Sequence, residues 1–147
     1  MNVRILVAAT FLLAGAASTA PAADTPNPQA RKELPYADCL QTDRINEWAV
    51  VDDQTLTVRN GPNYFVVKTT VACPRMSLGG GVHFRTSESD KAVGGMRICG
   101  GINEMIVRRD DPPCQIQSVQ TIDKAQFKAL GKKAKQHGAA GPSGAVP

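Results

Sequence analysis

The sequence predicts a mostly β fold: a small antiparallel barrel or sandwich stapled by two disulfides, with a short C-terminal helix. Three observations predict it. Short β-branched and aromatic runs, separated by turn residues, fill the stretch from Cys39 to Val119. Four cysteines, an even set, all lie downstream of an export signal. A helical period appears only after residue 122.

The chain opens on the pattern of a secretory signal peptide, residues 1–22. Arg4 supplies the positive charge, Ile5–Ala17 is apolar and uncharged, and Ala20-Pro21-Ala22 gives the small-x-small cleavage pattern. The apolar run is shorter than the roughly 20 residues that span a bilayer. Leu13-Ala14-Gly15-Ala16 has the shape of a lipidation box, but Ala16 stands where the acylated cysteine would be. The expectation is therefore a soluble periplasmic or secreted protein, with no membrane span after cleavage. Residues 23–38, with Pro26, Pro28 and Pro35 among polar neighbours, read as a flexible leader.

Residues 39–122 read as the disulfide-stapled β domain. Trp48–Val51 runs into the turn cluster Asp52-Asp53-Gln54, and Thr55–Arg59 then alternates, with Leu56 and Val58 facing one way. Ile45 and Trp48 stand three apart, which calls for a helical turn or bulge before the strand. Asn60-Gly61 signals a hairpin, with Pro62 expected to lengthen the turn beyond two residues. Tyr64–Val71 is the longest β-branched run and suits a central strand. Shorter strands follow at Val82–Arg85, Met96–Cys99, Glu104–Arg108 and Cys114–Gln117, divided by glycine pairs or by Asp110-Asp111-Pro112-Pro113.

Cys39, Cys73, Cys99 and Cys114 are widely spaced, without the C-x-x-C pairs that zinc sites or redox motifs use, and no histidine sits beside them. Two structural disulfides are the simplest reading. Three connectivities are open; the one favoured here, Cys39–Cys114 with Cys73–Cys99, nests one loop inside another.

Residues 123–136 read as a basic helix. Asp123 can cap it, and Phe127, Leu130 and Ala134 recur at helical spacing. Lys124, Lys128 and Lys132 share one face, and Lys133 and Lys135 follow. Acids and bases balance between residues 39 and 119, so the net charge of +4 belongs to this region. Such a face solvates a surface helix and can also meet an anionic envelope surface. Residues 137–147, rich in glycine and alanine, read as a disordered tail.

Cys39-Leu40, Arg44-Ile45, Trp48, Asp52-Asp53, Thr55-Leu56, Gly61-Pro62-Asn63-Tyr64, Cys73-Pro74, Cys99-Gly100 and Cys114 together resemble an uncharacterised family of small exported bacterial proteins, domain of unknown function 6491. The resemblance covers roughly residues 38–125 and leaves the lysine-rich region outside. It implies an envelope address and two disulfides, and it implies no activity. Members are often lipoproteins, a trait the missing cysteine at position 16 removes here.

No reactive constellation stands out. Of the two histidines, His137 falls in the tail and His83 in a strand without a nucleophile beside it. The acid pairs Asp52–Asp53, Asp110–Asp111 and Glu88–Asp90 suit turns, and none forms a calcium-binding loop pattern. Gly79–Gly81, Gly94–Gly95 and Gly100–Gly101 lack the Gly-Lys-Ser/Thr of a phosphate loop and read as turns or bulges. A nucleic-acid partner is disfavoured because the aromatic residues lie outside the basic region. The sequence therefore points to a non-enzymatic binding or interaction module of the cell envelope, with no cofactor and no metal. The alternatives are a small periplasmic hydrolase using Asp52, Asp53 or His83, and an inhibitor of a secreted enzyme.

Overall fold

The computed structural model describes residues 31–78, 81–92 and 95–139. The segment read as a signal peptide, the first part of the leader and the end of the tail lie outside them. In chain order the strands are β1 (Leu40–Gln41), β2 (Ile45–Asp52), β3 (Thr55–Asn60), β4 (Asn63–Thr69), β5 (His83–Arg85), β6 (Arg97–Ile98), β7 (Met105–Arg108), β8 (Asp111–Ile122) and β9 (Gln136–Ala139). The helices are α1 (Glu88–Ala92) and α2 (Lys124–Gly131).

Side-chain alternation along β2, β3 and β4 sets two faces. On one face the rows Val50–Leu56–Val67–Val119 and Trp48–Val58–Phe65 run across neighbouring strands, and all of these residues are buried. On the other face Ala49, Thr57 and Val66 form a row that is also buried. Helix α2 packs against β2, β3 and β4, and its Phe127 ring lies 4.9 Å from Tyr64. Seven strands thus join in the order β5-β7-β8-β4-β3-β2-β9, antiparallel throughout, and curl into a half-barrel. The two-stranded ribbon β1–β6 adds Leu40 and Ile98, a cross-strand pair with no exposed surface, to the same core.

Local chemistry explains the turns. Asn60 pairs directly with Asn63, so the Gly61–Pro62 loop keeps to two residues, contrary to the longer turn expected from Pro62. Gly61 takes φ +59°, the conformation that a type II′ hairpin needs at its first central position and that glycine adopts without strain. Its N–H donates to Asn46 Oδ1 at 2.6 Å. The three-residue step from Ile45 to Trp48 is absorbed by a 3-10 turn at Thr42–Arg44 and a bulge after Ile45. Strand β8 runs longer than expected, because Pro112 and Pro113 sit at its start, where an irregular register with β7 asks little of their missing donors.

Four further expectations are corrected. The disulfides are Cys39–Cys99 and Cys73–Cys114, not the nested pairing. Strand neighbours decide it: β1 pairs with β6, bringing Cys39 and Cys99 to 4.7 Å between Cα atoms. Cys73 follows β4, whose neighbour β8 carries Cys114, at 5.8 Å. The second correction concerns the leader, whose residues 31–38 are bound to the domain. The Leu34 N–H donates to Cys99 O at 2.9 Å, and Arg31 Nη1 donates to Gly101 O and Ile116 O.

The third concerns the helix, which ends at Gly131 rather than 136. Asp123 and Gln126 form the reciprocal capping box at its start. At its end the Lys133 N–H donates to Leu130 O and the Ala134 N–H to Gly131 O, tightening the chain into turns. The Lys135 N–H then reaches Val50 O and starts β9. The fourth concerns the tail, since residues 136–139 are strand β9, paired with β2.

Gly138 makes that pairing possible. It lies opposite Trp48, and a Cβ built there would stand 2.1 Å from Trp48 Cζ2. Any side chain must push the indole or the strand aside. Gly138→Ala is expected to destabilise by about 1–3 kcal/mol, the usual range for overpacking. Trp48 is the only tryptophan, so its emission reports the site directly. A red shift with faster amide exchange in β9 is the expected outcome, and an unchanged spectrum would show that the strand yields freely.

Candidate functional site

The most unusual side chain of the fold is Glu104, only 2% exposed. Burying a carboxylate without partners is costly, and the chain supplies them from its own backbone. Oε2 accepts from the N–H groups of Gly100 at 2.7 Å, Gly101 at 3.0 Å and Cys99 at 3.1 Å, while Oε1 accepts from Cys99 at 2.9 Å. Three successive amides turned toward one anion form a nest. Glycine is required here: Gly100 has φ +95°, and a Cβ on it would meet the Val119 nitrogen at 3.1 Å. The Gly100–Gly101 pair does cradle an anion, and that anion is the chain's own.

Burial pushes the Glu104 carboxyl above its ordinary value; the three backbone donors pull it back, and the Asp90 charge pushes it up further. A carboxyl raised by folding takes up its proton in the native state before the unfolded chain does. Its contribution to stability is therefore complete at low pH and is lost as pH rises through the native value. Carbonyl NMR titration of Glu104 is expected to show a midpoint above that of an ordinary glutamate. A midpoint below it would show that the amides outweigh burial.

Glu104 borders a cleft of about 730 Å³, a size that suits a small ligand. Three segments wall it. The bound leader contributes Glu33, Leu34 and Tyr36. The β5–α1 segment contributes Thr86, Ser87 and Asp90, and the loop into β7 contributes Ile102 and Met105. Ile102 and Tyr36 are exposed, at 63% and 53%. Tyr36 is stacked under the Arg97 guanidinium at 4.3 Å, and Arg97 Nη1 donates to Tyr36 O at 2.7 Å. The Cys39–Cys99 disulfide ties the leader wall to the Glu104 loop. Hydroxyl, carboxylate and apolar groups thus face one space.

Four of the acids singled out from the sequence, Asp52, Glu88, Asp90 and Asp111, have side-chain partners. Asp52 Oδ1 accepts from Gln54 N–H at 2.8 Å, an Asx turn between β2 and β3. Asp53 differs: its backbone O accepts from Cys73 N–H at 2.7 Å, but its side-chain Oδ1 is buried without a hydrogen-bond partner among the described residues. Asp111 lies 3.5 Å from Arg75 and 3.6 Å from Arg108. Asp90 Oδ2 accepts from Ser87 Oγ, and Glu88 pairs with Lys91 at 2.8 Å, which holds its carboxyl below the ordinary value. His83 is exposed on the edge strand β5, paired with Val107 across the sheet, and His137 is exposed on β9. Among the described residues no group of three or more His, Cys, Asp or Glu is placed to hold a metal ion. Glu104 escapes a sequence reading that treats it as the start of a strand, because its partners are backbone amides. The available signal is a glycine pair three residues ahead of a glutamate.

Lys124, Lys128, Lys132, Lys133 and Lys135 are all exposed, and none has an ion pair among the described residues. Beside them a second groove, of about 470 Å³, lies between α2 and the β2–β9 edge.

No curated protein and no solved structure matches the chain. The sequence does match the profile of a family described as Family of unknown function (DUF6491), over residues 1–138. That span includes α2 and its lysines, which the motif resemblance had left outside. With the match running from the first residue through Gly138, the chain belongs to the DUF6491 family of unknown function.

Proposed function

We propose that this protein is an exported, non-enzymatic binding module of the cell envelope, whose ligand seat is the cleft beside Glu104. The observation that carries this reading is the cleft itself: about 730 Å³, with apolar, hydroxyl and carboxylate groups brought together from three segments. Two disulfides support an oxidising compartment. The export signal read in residues 1–22 supports the same address. Among the described residues no helix is long and apolar enough to cross a membrane.

The test is a titration with polyamines, short peptides and cell-wall sugar fragments, followed by amide NMR shifts. Ile102→Lys places a charge at an exposed position of the cleft wall and should leave the melting temperature unchanged. The expected result is saturable shifts at residues 33–36, 86–90 and 101–105 that disappear in the variant. Shifts that survive the substitution, or turnover of any member of the panel, would contradict the reading.

A second reading has its own observation. Five exposed lysines with no ion pair among the described residues lie on and just after α2, and they favour attraction to an anionic envelope surface. That attraction weakens as salt rises.

A further inference from the structure

We infer that the cleft beside Glu104 selects a ligand carrying ammonium groups on a short apolar chain. This rests on the reading of that cleft as the ligand seat and names the chemistry the seat takes. Glu33, Glu88, Asp90 and Glu104 line the cleft against a single base, Arg85. Glu88 is already matched, because Lys91 stands 2.8 Å from it and Arg85 adds its charge to the same carboxylate. The other three acids have no ion pair among the described residues. Two nearby arginines are held elsewhere. Arg31 Nη1 donates to Gly101 O and Ile116 O, and Arg97 is fixed to the Tyr36 ring and to Tyr36 O.

The nest leaves one side of Glu104 open. Its Oε2 accepts from three amides, whereas Oε1 only shares the Cys99 N–H with Oε2. A carboxylate oxygen has room for about two donors, so Oε1 keeps capacity for another. A Cβ built on Gly101 would lie 3.4 Å from that Oε1 and 3.5 Å from Glu33 Oε1, so both oxygens turn to the space beside Gly101. From the α1 side, the Asp90 carboxylate acts on Glu104 as a like charge. Mutual repulsion of three unpaired carboxylates favours a cationic occupant.

Spacing and walls decide the kind of cation. Among the described residues no three acids are placed to hold a metal ion. The charges therefore suit a cation spread along a chain better than a point charge. Leu34, Ile102 and Met105 supply apolar wall, on which the methylenes of an alkylammonium can lie as a lysine stem does. A primary ammonium brings three donors and no acceptor, which matches oxygens that only accept.

The test is an amide and carboxyl NMR titration of the oxidised protein at neutral pH and low salt. The probes are diaminopentane, Nα-acetyl-lysine methylamide, pentanediol and calcium. The expected result is saturable shifts at the cleft segments 33–36, 86–90 and 101–105 with either amine, and none with the diol or calcium. A bound ammonium favours the ionised carboxyl, so the Glu104 midpoint should fall on saturation. Glu33→Gln and Asp90→Asn should each weaken binding by about two- to fivefold, as for an exposed ion pair. Glu33 is exposed, so its variant should melt with the parent protein. Either order of the two amines supports the proposal: tighter binding of the lysine derivative names a peptide side chain as the source, and tighter binding of diaminopentane names a free polyamine.

Equal shifts with pentanediol would leave the cleft as the seat and overturn its selection of ammonium. Calcium that displaces the amine at equal concentration would overturn the proposal in favour of a metal site. Unchanged affinity in the combined Glu33→Gln and Asp90→Asn variant would also overturn it. Silence from both amines, while a neutral sugar fragment binds, would sink this proposal alone; silence from every ligand would sink the reading of the cleft with it.

Discussion

Replacing either cysteine pair by alanine is expected to cost the fold about 4 kcal/mol. The bridges close segments 60 and 41 residues apart, and a chain-entropy treatment of loops that long gives roughly 4 kcal/mol for each. The difference between them is small because the entropy grows only with the logarithm of loop length. Local consequences differ more. Cys73–Cys114 fastens the chain after β4 to β8, at the centre of the sheet, and its loss should lower the melting temperature by at least about 10 °C. Cys39–Cys99 joins the leader to the Glu104 loop, so its loss should also release the cleft. Thermal unfolding of both double-alanine variants checks the size. Amide exchange at residues 33–36 and 99–104 checks the place. Near-wild-type melting of both variants would mean that the core holds without its staples.

Glu104→Gln is expected to cost about 2 kcal/mol, more than its near-isosteric shape suggests. The carboxylate meets only donors, with contacts of 2.7–3.1 Å from three amides. An amide side chain has one acceptor oxygen, so its NH₂ must face an N–H of the nest. Losing a charged acceptor and leaving a buried donor unmet each fall in the range of about 1–3 kcal/mol. Relief of the burial cost that raises the Glu104 carboxyl offsets part of this loss. Faster exchange at Cys99, Gly100 and Gly101 should accompany the drop in stability. Because Glu104 and the Cys39–Cys99 bridge hold the same loop, their losses should fall short of additive in a double-mutant cycle. An unchanged melting temperature in Glu104→Gln would show that the nest adds no net stability.

What could be read from the residues alone was whatever local patterning decides. The hairpins of β2, β3 and β4 follow from alternation at Leu56 and Val58 and from the Asn60-Gly61 turn, and the structure has β3 and β4 within a residue or two of the expected bounds, while β2 starts three residues earlier, at Ile45. The Asp123 cap is legible for the same reason, since a capping side chain acts on amides three residues away. Disulfide pairing is not local. It depends on β1 lying beside β6 and β4 beside β8, pairings made by short or irregular strands.

Strand β9 was hidden because Gly138 has poor strand propensity and gains its place only from Trp48 across the sheet. The leader was hidden in the same way. Pro35 and polar neighbours suggest disorder, yet Leu34 packs on the core and its N–H finds Cys99 O. The cleft is built from these illegible parts, the leader and the Glu104 loop among them, so the sequence points to lysines and turn acids but not to the cavity.

The measurement closest to the central claim is sedimentation of the oxidised protein with isolated cell envelopes at low salt, with the reduced protein alongside. The account predicts that the oxidised protein is retained and that reduction, which loosens the cleft and the sheet together, releases it. Oxidised protein that stays in the supernatant would contradict a binding role in the envelope, and so would equal retention of both forms.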